Sequence, residues 1–147
     1  MLTLETKRLM LKQVQEKDLN VFKTLLQNPF YLRHLPQKSA FSDDDVELFM
    51  QRRIRHWRKG VGSFVIYLKA QPHQAIGFVG VESSPNPLYS DLRFMIIKKY
   101  QSKGYAFEAS AKCVDFVFKS KLESQIYGVC LIENLASANI LKKLGMT

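Results

Sequence analysis

The chain has 147 residues, with 22 Lys+Arg against 13 Asp+Glu for a formal charge of +9, and 46% of its residues are hydrophobic. That length fits one domain spanning 1–147, and ten Phe, six Tyr and one Trp exclude a disordered chain. No apolar run approaches the ~20 residues of a membrane-spanning helix, Met1–Arg8 lacks the apolar stretch of a secretory signal, and two Cys outside any CxxC or Cys/His cluster make neither a disulfide framework nor a zinc site. The expectation is a cytoplasmic domain without metal or membrane, whose surplus positive charge suits polyanionic partners.

Thr6–Val14 reads as a strand, with Leu9 and Leu11 alternating against Met10 and Lys12. Asp18 is placed to cap a helix running to Gln27, and Pro29 and Pro36 bracket an irregular stretch. Ser42 followed by three aspartates predicts a capping box opening a second helix. Its stripe is Val46, Phe49, Met50, Ile54 and Trp57, and Gly60 and Gly62 end it. Ser63–Ala70 and Ala75–Glu82 are rich in β-branched and aromatic residues, and 71–74 suits the hairpin connection between them. Residues 83–88 read as a loop and Ser90–Ile97 as a further strand. A helix follows from Gly104 to Lys119 with Ala106, Ala109, Cys113, Phe116 and Val117 inward, then a strand over Gln125–Ile132. Asn134 is placed to cap a last helix to Leu144, closed by Gly145. Antiparallel hairpins followed by a βαβα unit predict an α/β fold, with a mixed, mostly antiparallel sheet and helices on both faces.

The stretch Gln101-Ser-Lys-Gly-Tyr-Ala106 lies between a strand and a helix. Gly104 permits close backbone approach, Ala106 keeps the first helical turn uncrowded, and the free N–H groups there favour an anion such as a diphosphate. Lys98, Lys99 and Lys103 add cations. An ordinary strand-to-helix turn containing a glycine is the alternative.

Three stretches together resemble a known family. The Gly loop matches Q/R-x-x-G-x-G/A, the acyl-CoA diphosphate loop of the GNAT superfamily of N-acetyltransferases. Glu133-Asn-Leu-Ala-Ser-Ala-Asn-Ile-Leu-Lys-Lys-Leu-Gly-Met146 resembles the closing helix of its ribosomal-protein N-terminal (RimJ/RimL-type) subfamily, and Thr6-Lys-Arg-Leu-Met-Leu-Lys12 resembles that subfamily's opening strand. The resemblance implies acetyl-CoA as co-substrate and a splay between the strands at 90–97 and 125–132. Pantetheine would pair with backbone around Met95, Ile96 and Ile97. The diphosphate would rest on the Gln101, Ser102, Lys103, Gly104, Tyr105 and Ala106 loop, and Asn134 would reach the pantetheine arm. The acceptor is a primary amine, on a protein N-terminus or a small molecule. A non-catalytic acyl-CoA-binding module is the alternative function.

Acetyl transfer needs a neutral amine close to the thioester carbonyl and donors for the oxyanion. The family's tyrosine acid, seven residues after the helix asparagine, is replaced here by Leu141, so Ser137 is a candidate hydroxyl. Asp91 stands where the family places a carboxylate base, with Glu82 second and Glu108 as an acid complementing the helix dipole. An α-amine of pKa ~7.7 is about 15–20% neutral at pH 7 and a lysine amine roughly 0.05%, a gap of ~3.7 kcal/mol that favours the weaker base as acceptor. Residues Arg52 to Lys59 hold five cations, which complement the helix C-terminus or dock on a ribosome or acidic partner. His34, His56 and His73 have no partner spacing, and Cys113 and Cys130 read as core. Relatives continue past the position of Thr147 with two further strands. The expectation is therefore a longer native chain or a homodimer covering the exposed strand edge.

Overall fold

The structure is a computed structural model that describes residues 2–33, 39–83, 90–120, 126–128 and 135–145. For residues 83, 127, 128 and 135–138 it describes the backbone alone. His34, Pro36, Cys130, Asn134 and most of the 83–88 loop lie outside the described residues.

Six strands form one sheet in chain order: β1 (Thr3–Glu5), β2 (Leu9–Gln13), β3 (Ser63–Leu68), β4 (Gln71–Ser83), β5 (Ser90–Ile96) and β6 (Ile126–Gly128). Neighbours are antiparallel through β5, and β6 pairs parallel with β5 from Ser90↔Ile126 to Leu92↔Gly128. Helices α1 (Leu19–Leu26), α2 (Pro29–Leu32) and α3 (Asp43–His56) lie between β2 and β3. Helix α4 (Tyr105–Lys119) makes the β5-to-β6 crossover, and α5 (Leu135–Lys143) follows.

Strand alternation sorts the core into two layers, because successive side chains point to opposite faces. Phe64, Ile66 and Leu68 of β3 join Leu9, Leu11, Val79 and Val81 under Ala109, Cys113 and Val117 of α4 and Leu141 of α5. Val65 and Tyr67 join Phe78 under Phe22 and Leu25 of α1, Leu32 of α2, and Val46 and Met50 of α3. Helices therefore cover both faces, as the element order predicts. Helix α3 opens with the expected capping box. The Ser42 hydroxyl accepts from Asp45 N–H at 3.1 Å, and the Asp45 carboxylate accepts from Ser42 N–H at 3.1 Å, worth about 1 kcal/mol.

Four local expectations are corrected. The first strand is split into β1 and β2 by a turn at Thr6, whose N–H donates to Leu9 O at 3.0 Å while its hydroxyl accepts from Leu9 N–H at 3.0 Å. The β3–β4 turn sits at 69–70 rather than 71–74, because register shifts at Tyr67 and Leu68 absorb the extra residues of β4. Asp18 does not cap α1 with its side chain. Its carboxylate instead accepts from Gln15 N–H at 2.8 Å and from the Tyr67 hydroxyl. Burial first, and then this carboxylate, push the Tyr67 phenol up. The stretch after Pro29 is a short helix, where Asn28 Oδ1 accepts from Phe30 N–H at 3.0 Å.

Candidate functional site

Ile97 N–H donates to Ile76 O at 2.8 Å, and a 3-10 turn over Lys98–Tyr100 then reverses the chain. Buried Tyr100 anchors that turn, and the Gln101 amide donates to Ile96 O at 2.9 Å. Ser102 and Gly104 both adopt left-handed backbone, with φ of 62° and 85°, and Gly104 stands at the N-cap of α4. Glycine adopts that conformation without the penalty a Cβ brings. Glu108 N–H donates to Gly104 O at 3.0 Å, so the N–H groups of Tyr105, Ala106 and Phe107 have no acceptor within the helix. Residues 101–104 are exposed above them. Of the six loop residues picked from the sequence, Gln101 gives its N–H to Lys98 O at 3.0 Å, while Tyr105 and Ala106 carry N–H groups of the first turn, with the exposed Lys98, Lys99 and Lys103 close by in the chain. Lys98 N–H donates to the Tyr31 hydroxyl of α2 at 2.8 Å, a contact that no local pattern announces.

The backbone of β5 is divided by parity. Because Ile97 N–H bonds to Ile76 O directly opposite, the odd residues Asp91, Arg93 and Met95 direct their N–H and C=O toward β4, whereas Phe94 and Ile96 direct theirs toward the β6 side; Ile97 gives its N–H to β4, and its C=O accepts from Tyr100 N–H at 2.8 Å. Of the three residues expected to offer backbone groups to a ligand, Met95 therefore serves the sheet, Ile97 is taken by Ile76 and Tyr100, and Ile96 faces away from β4 with its C=O accepting from the Gln101 amide. Gly77 makes this tight pairing possible, since a Cβ there would lie 2.1 Å from Met95 O.

The two candidate bases are neighbours across β4 and β5, where Glu82 pairs with Asp91. Glu82 is 2% exposed. Its Oε2 accepts from the Ser63 hydroxyl at 2.8 Å, and its Oε1 lies 2.9 Å from Arg53 Nε and 3.7 Å from an Arg93 terminal nitrogen. Arg53 Nε is close enough to pair in charge but is not aligned for a hydrogen bond. Burial lowers the Arg53 pKa, against the pull of the Glu82 charge. Asp91 Oδ1 accepts from Arg93 Nε at 2.9 Å. Both carboxylates are thus tied to arginine. Arg53, counted from the sequence in the basic face, instead points inward to Glu82, while Arg52, Arg55, Arg58 and Lys59 are exposed.

Ser137 falls in the first turn of α5, and its side chain lies outside the described residues. Leu141 is buried beside Ala109 and Cys113 and acts as packing. His56 Nδ1 lies 2.7 Å from Val61 O. His73 lines a groove of about 230 Å³ with Asp18, Tyr67 and Ile97. Cys113 is buried, which pushes its thiol up to about 12.

Sequence reasoning assigned no chemistry to Thr6, Arg8 or Arg93. Glu108 accepts from Thr6 Oγ1 at 2.5 Å, from Arg8 N–H at 2.9 Å and from Arg8 Nε at 2.8 Å. Burial raises the Glu108 carboxyl, but these hydrogen bonds and the arginine charge outweigh it and hold the group low. An open groove of about 640 Å³ runs from Gly104 along the outside of α4, lined by Thr6, Arg8, Glu108 and Lys112. Among the described residues there is no cluster of three or more metal-ligating side chains, and no helix long and apolar enough to cross a membrane.

Known proteins share this fold. Residues 8–147 match the family described as the acetyltransferase (GNAT) domain. The uncharacterized N-acetyltransferase YnaD of Bacillus subtilis is 24% identical over 143 residues, covering 96% of this chain and 80% of that protein. An acetyltransferase structure from Agrobacterium tumefaciens superposes with a TM-score of 0.86 at 20% identity, covering 99% of this chain and 83% of the other. RimL, a ribosomal L7/L12 α-N-protein acetyltransferase in complex with coenzyme A, superposes with a TM-score of 0.82 at 13% identity over 97% of this chain and 82% of its own. With a match that runs from the second strand to the last residue, the chain belongs to the GNAT acetyltransferase family.

Proposed function

We propose that this acetyltransferase takes its acetyl group from acetyl-CoA and transfers it to a weakly basic primary amine, by direct attack in a ternary complex. The acceptor would be a protein N-terminal α-amine or a small-molecule amine. The observation that carries the donor assignment is the rim of main-chain N–H groups at Tyr105 to Phe107, opened by the left-handed Ser102 and Gly104. A diphosphate placed there meets oriented donors and the positive end of the α4 dipole. The Ile96 N–H, directed away from β4, then lies along the path of the pantetheine arm and serves as donor to it or to the oxyanion. Asn134 and Ser137 would approach the arm from the α5 side.

In the reaction the neutral amine attacks the thioester carbonyl carbon, the C–S bond breaks, and the proton lost by nitrogen balances the departing thiolate. With Glu82 held by Ser63 and Arg53 and Asp91 held by Arg93, the site carries no unpartnered carboxylate among the residues picked as bases. Asp91 remains the better placed of the two, being less buried than Glu82. An α-amine needs little help from such a base, and a lysine amine needs about 3.7 kcal/mol more. The likeness to RimL makes ribosomal-protein N-termini the first acceptors to try. The exposed Arg52, Arg55, Arg58 and Lys59 would dock them or the ribosome with steep salt dependence.

The test is thiol release from acetyl-CoA in the presence of N-terminally free peptides, N-blocked lysine peptides and small amines. Turnover on free α-amines above blocked lysine peptides is the expected result. A second reading, an acyl-CoA-binding module without catalysis, is favoured by Leu141, whose burial leaves no hydroxyl at the family's acid position. Saturable CoA binding with no turnover on any amine would establish that reading instead.

A further inference from the structure

The opening stretch Thr6-Lys-Arg8 belongs to none of the chemistry described above, yet it converges on the diphosphate loop from the far end of the chain. Arg8 touches three consecutive loop residues. Its Nη1 donates to Lys103 O at 3.0 Å, its Nη2 would lie 3.2 Å from a Cβ on Gly104, and its guanidinium stacks 4.4 Å from the Tyr105 ring centroid. One turn further on, Glu108 accepts from Arg8 Nε, from Arg8 N–H and from the Thr6 hydroxyl. The carbonyl before the cap glycine, the glycine face, the first ring of α4 and its first full turn are therefore all fixed to the β1–β2 turn.

We propose that Thr6, Arg8 and Glu108 form a latch of positioning residues that holds the 101–104 loop and the first turn of α4 in the conformation that receives the diphosphate. The inference deepens the functional reading above and rests on it. Two arguments support a latch over an acid that merely complements the helix dipole. An unpaired carboxylate one turn into α4 would repel a diphosphate, and Arg8 cancels that charge where it stands. The loop itself is exposed, and without Arg8 its backbone would have to be ordered at the moment of binding. Fixing one residue is enough to weaken binding about tenfold.

The test uses the full chain and calorimetric titration with CoA and with pantetheine, which has no diphosphate. Each variant's unfolding midpoint is recorded, so that titrations are made where it is folded. Arg8→Ala is expected to weaken CoA about tenfold and to lower the CoA-to-pantetheine affinity ratio by a similar factor. Arg8→Lys restores the charge but not the fork or the stacking, so it should stay within about threefold of Arg8→Ala; it also serves if the alanine variant does not fold. Arg8→Ala combined with Glu108→Gln should recover only part of the loss, the share due to the bared carboxylate. CoA affinity within twofold of wild type in Arg8→Ala overturns the latch, as does full recovery by Arg8→Lys or by the double variant, which would reduce the role to charge. Equal losses for CoA and pantetheine overturn it as well. A wild-type chain that does not bind CoA at all defeats the functional reading itself, a result distinct from each of these.

Discussion

Glu82 and Glu108 are both carboxylates gripped by arginines, and the difference between their settings shows how one kind of contact serves two ends. Glu82 is sealed between β4 and the second half of α3, with Ser63, Arg53 and Arg93 as partners and 2% exposure. Glu108 sits at the surface, its side chain 19% exposed and its partner Arg8 42% exposed. In water-excluded surroundings a charge that loses its partner has nowhere to go, so a buried pair is costly to break even where forming it adds little. At the surface the solvent takes up the slack, and the pair contributes geometry more than stability. The buried cluster ties α3 to the sheet. The exposed one aligns a loop.

The comparison can be broken by substitution. Glu82→Ala takes the close carboxylate from the largely buried Arg53, while Arg93 keeps Asp91, and is expected to cost about 3–5 kcal/mol, read from urea unfolding. The same change at Glu108 should cost no more than about 1 kcal/mol. Equal losses at the two sites would refute the distinction. Gly104→Ala, with φ of 85° and Arg8 Nη2 at 3.2 Å from the new methyl, should cost about 1–2 kcal/mol and weaken CoA in parallel. A stable variant that kept full affinity would show that the left-handed cap is dispensable. The smallest effect sharpens the exposed site through pH. The Glu108 carboxyl is held below its ordinary value, so its stabilisation is present above about pH 4.3 and lost as pH falls through the lower folded value. Thermal unfolding of Glu108→Gln should therefore trail wild type by its full margin at pH 7, and the gap should narrow toward pH 3. A gap that widened on acidification would contradict the low value.

Residues that act through near neighbours in the chain are legible in the sequence itself. The two-residue alternation in β3 and β4, the Ser42–Asp45 capping box and the glycine loop from Gln101 to Ala106 each depend on spacings of one to five residues, and each formed as expected. The proposed anion cradle is readable for the same reason, since the donors it would use, at Tyr105 to Phe107, are consecutive main-chain groups.

Tertiary structure decided everything that depends on register and on distant partners. Which of Met95, Ile96 and Ile97 can serve a ligand follows from the hydrogen-bond parity that Ile76 imposes across β4, a quantity the β5 sequence does not contain. Arg53 reads like its basic neighbours, yet the pitch of α3 turns it inward onto Glu82. Arg8 and Glu108 stand 100 residues apart, and only the packing of α4 beside the β1–β2 turn brings their charges together. Local patterns are written in the chain because backbone geometry repeats over a few residues, whereas a pairing across the fold exists only once the sheet has set its order.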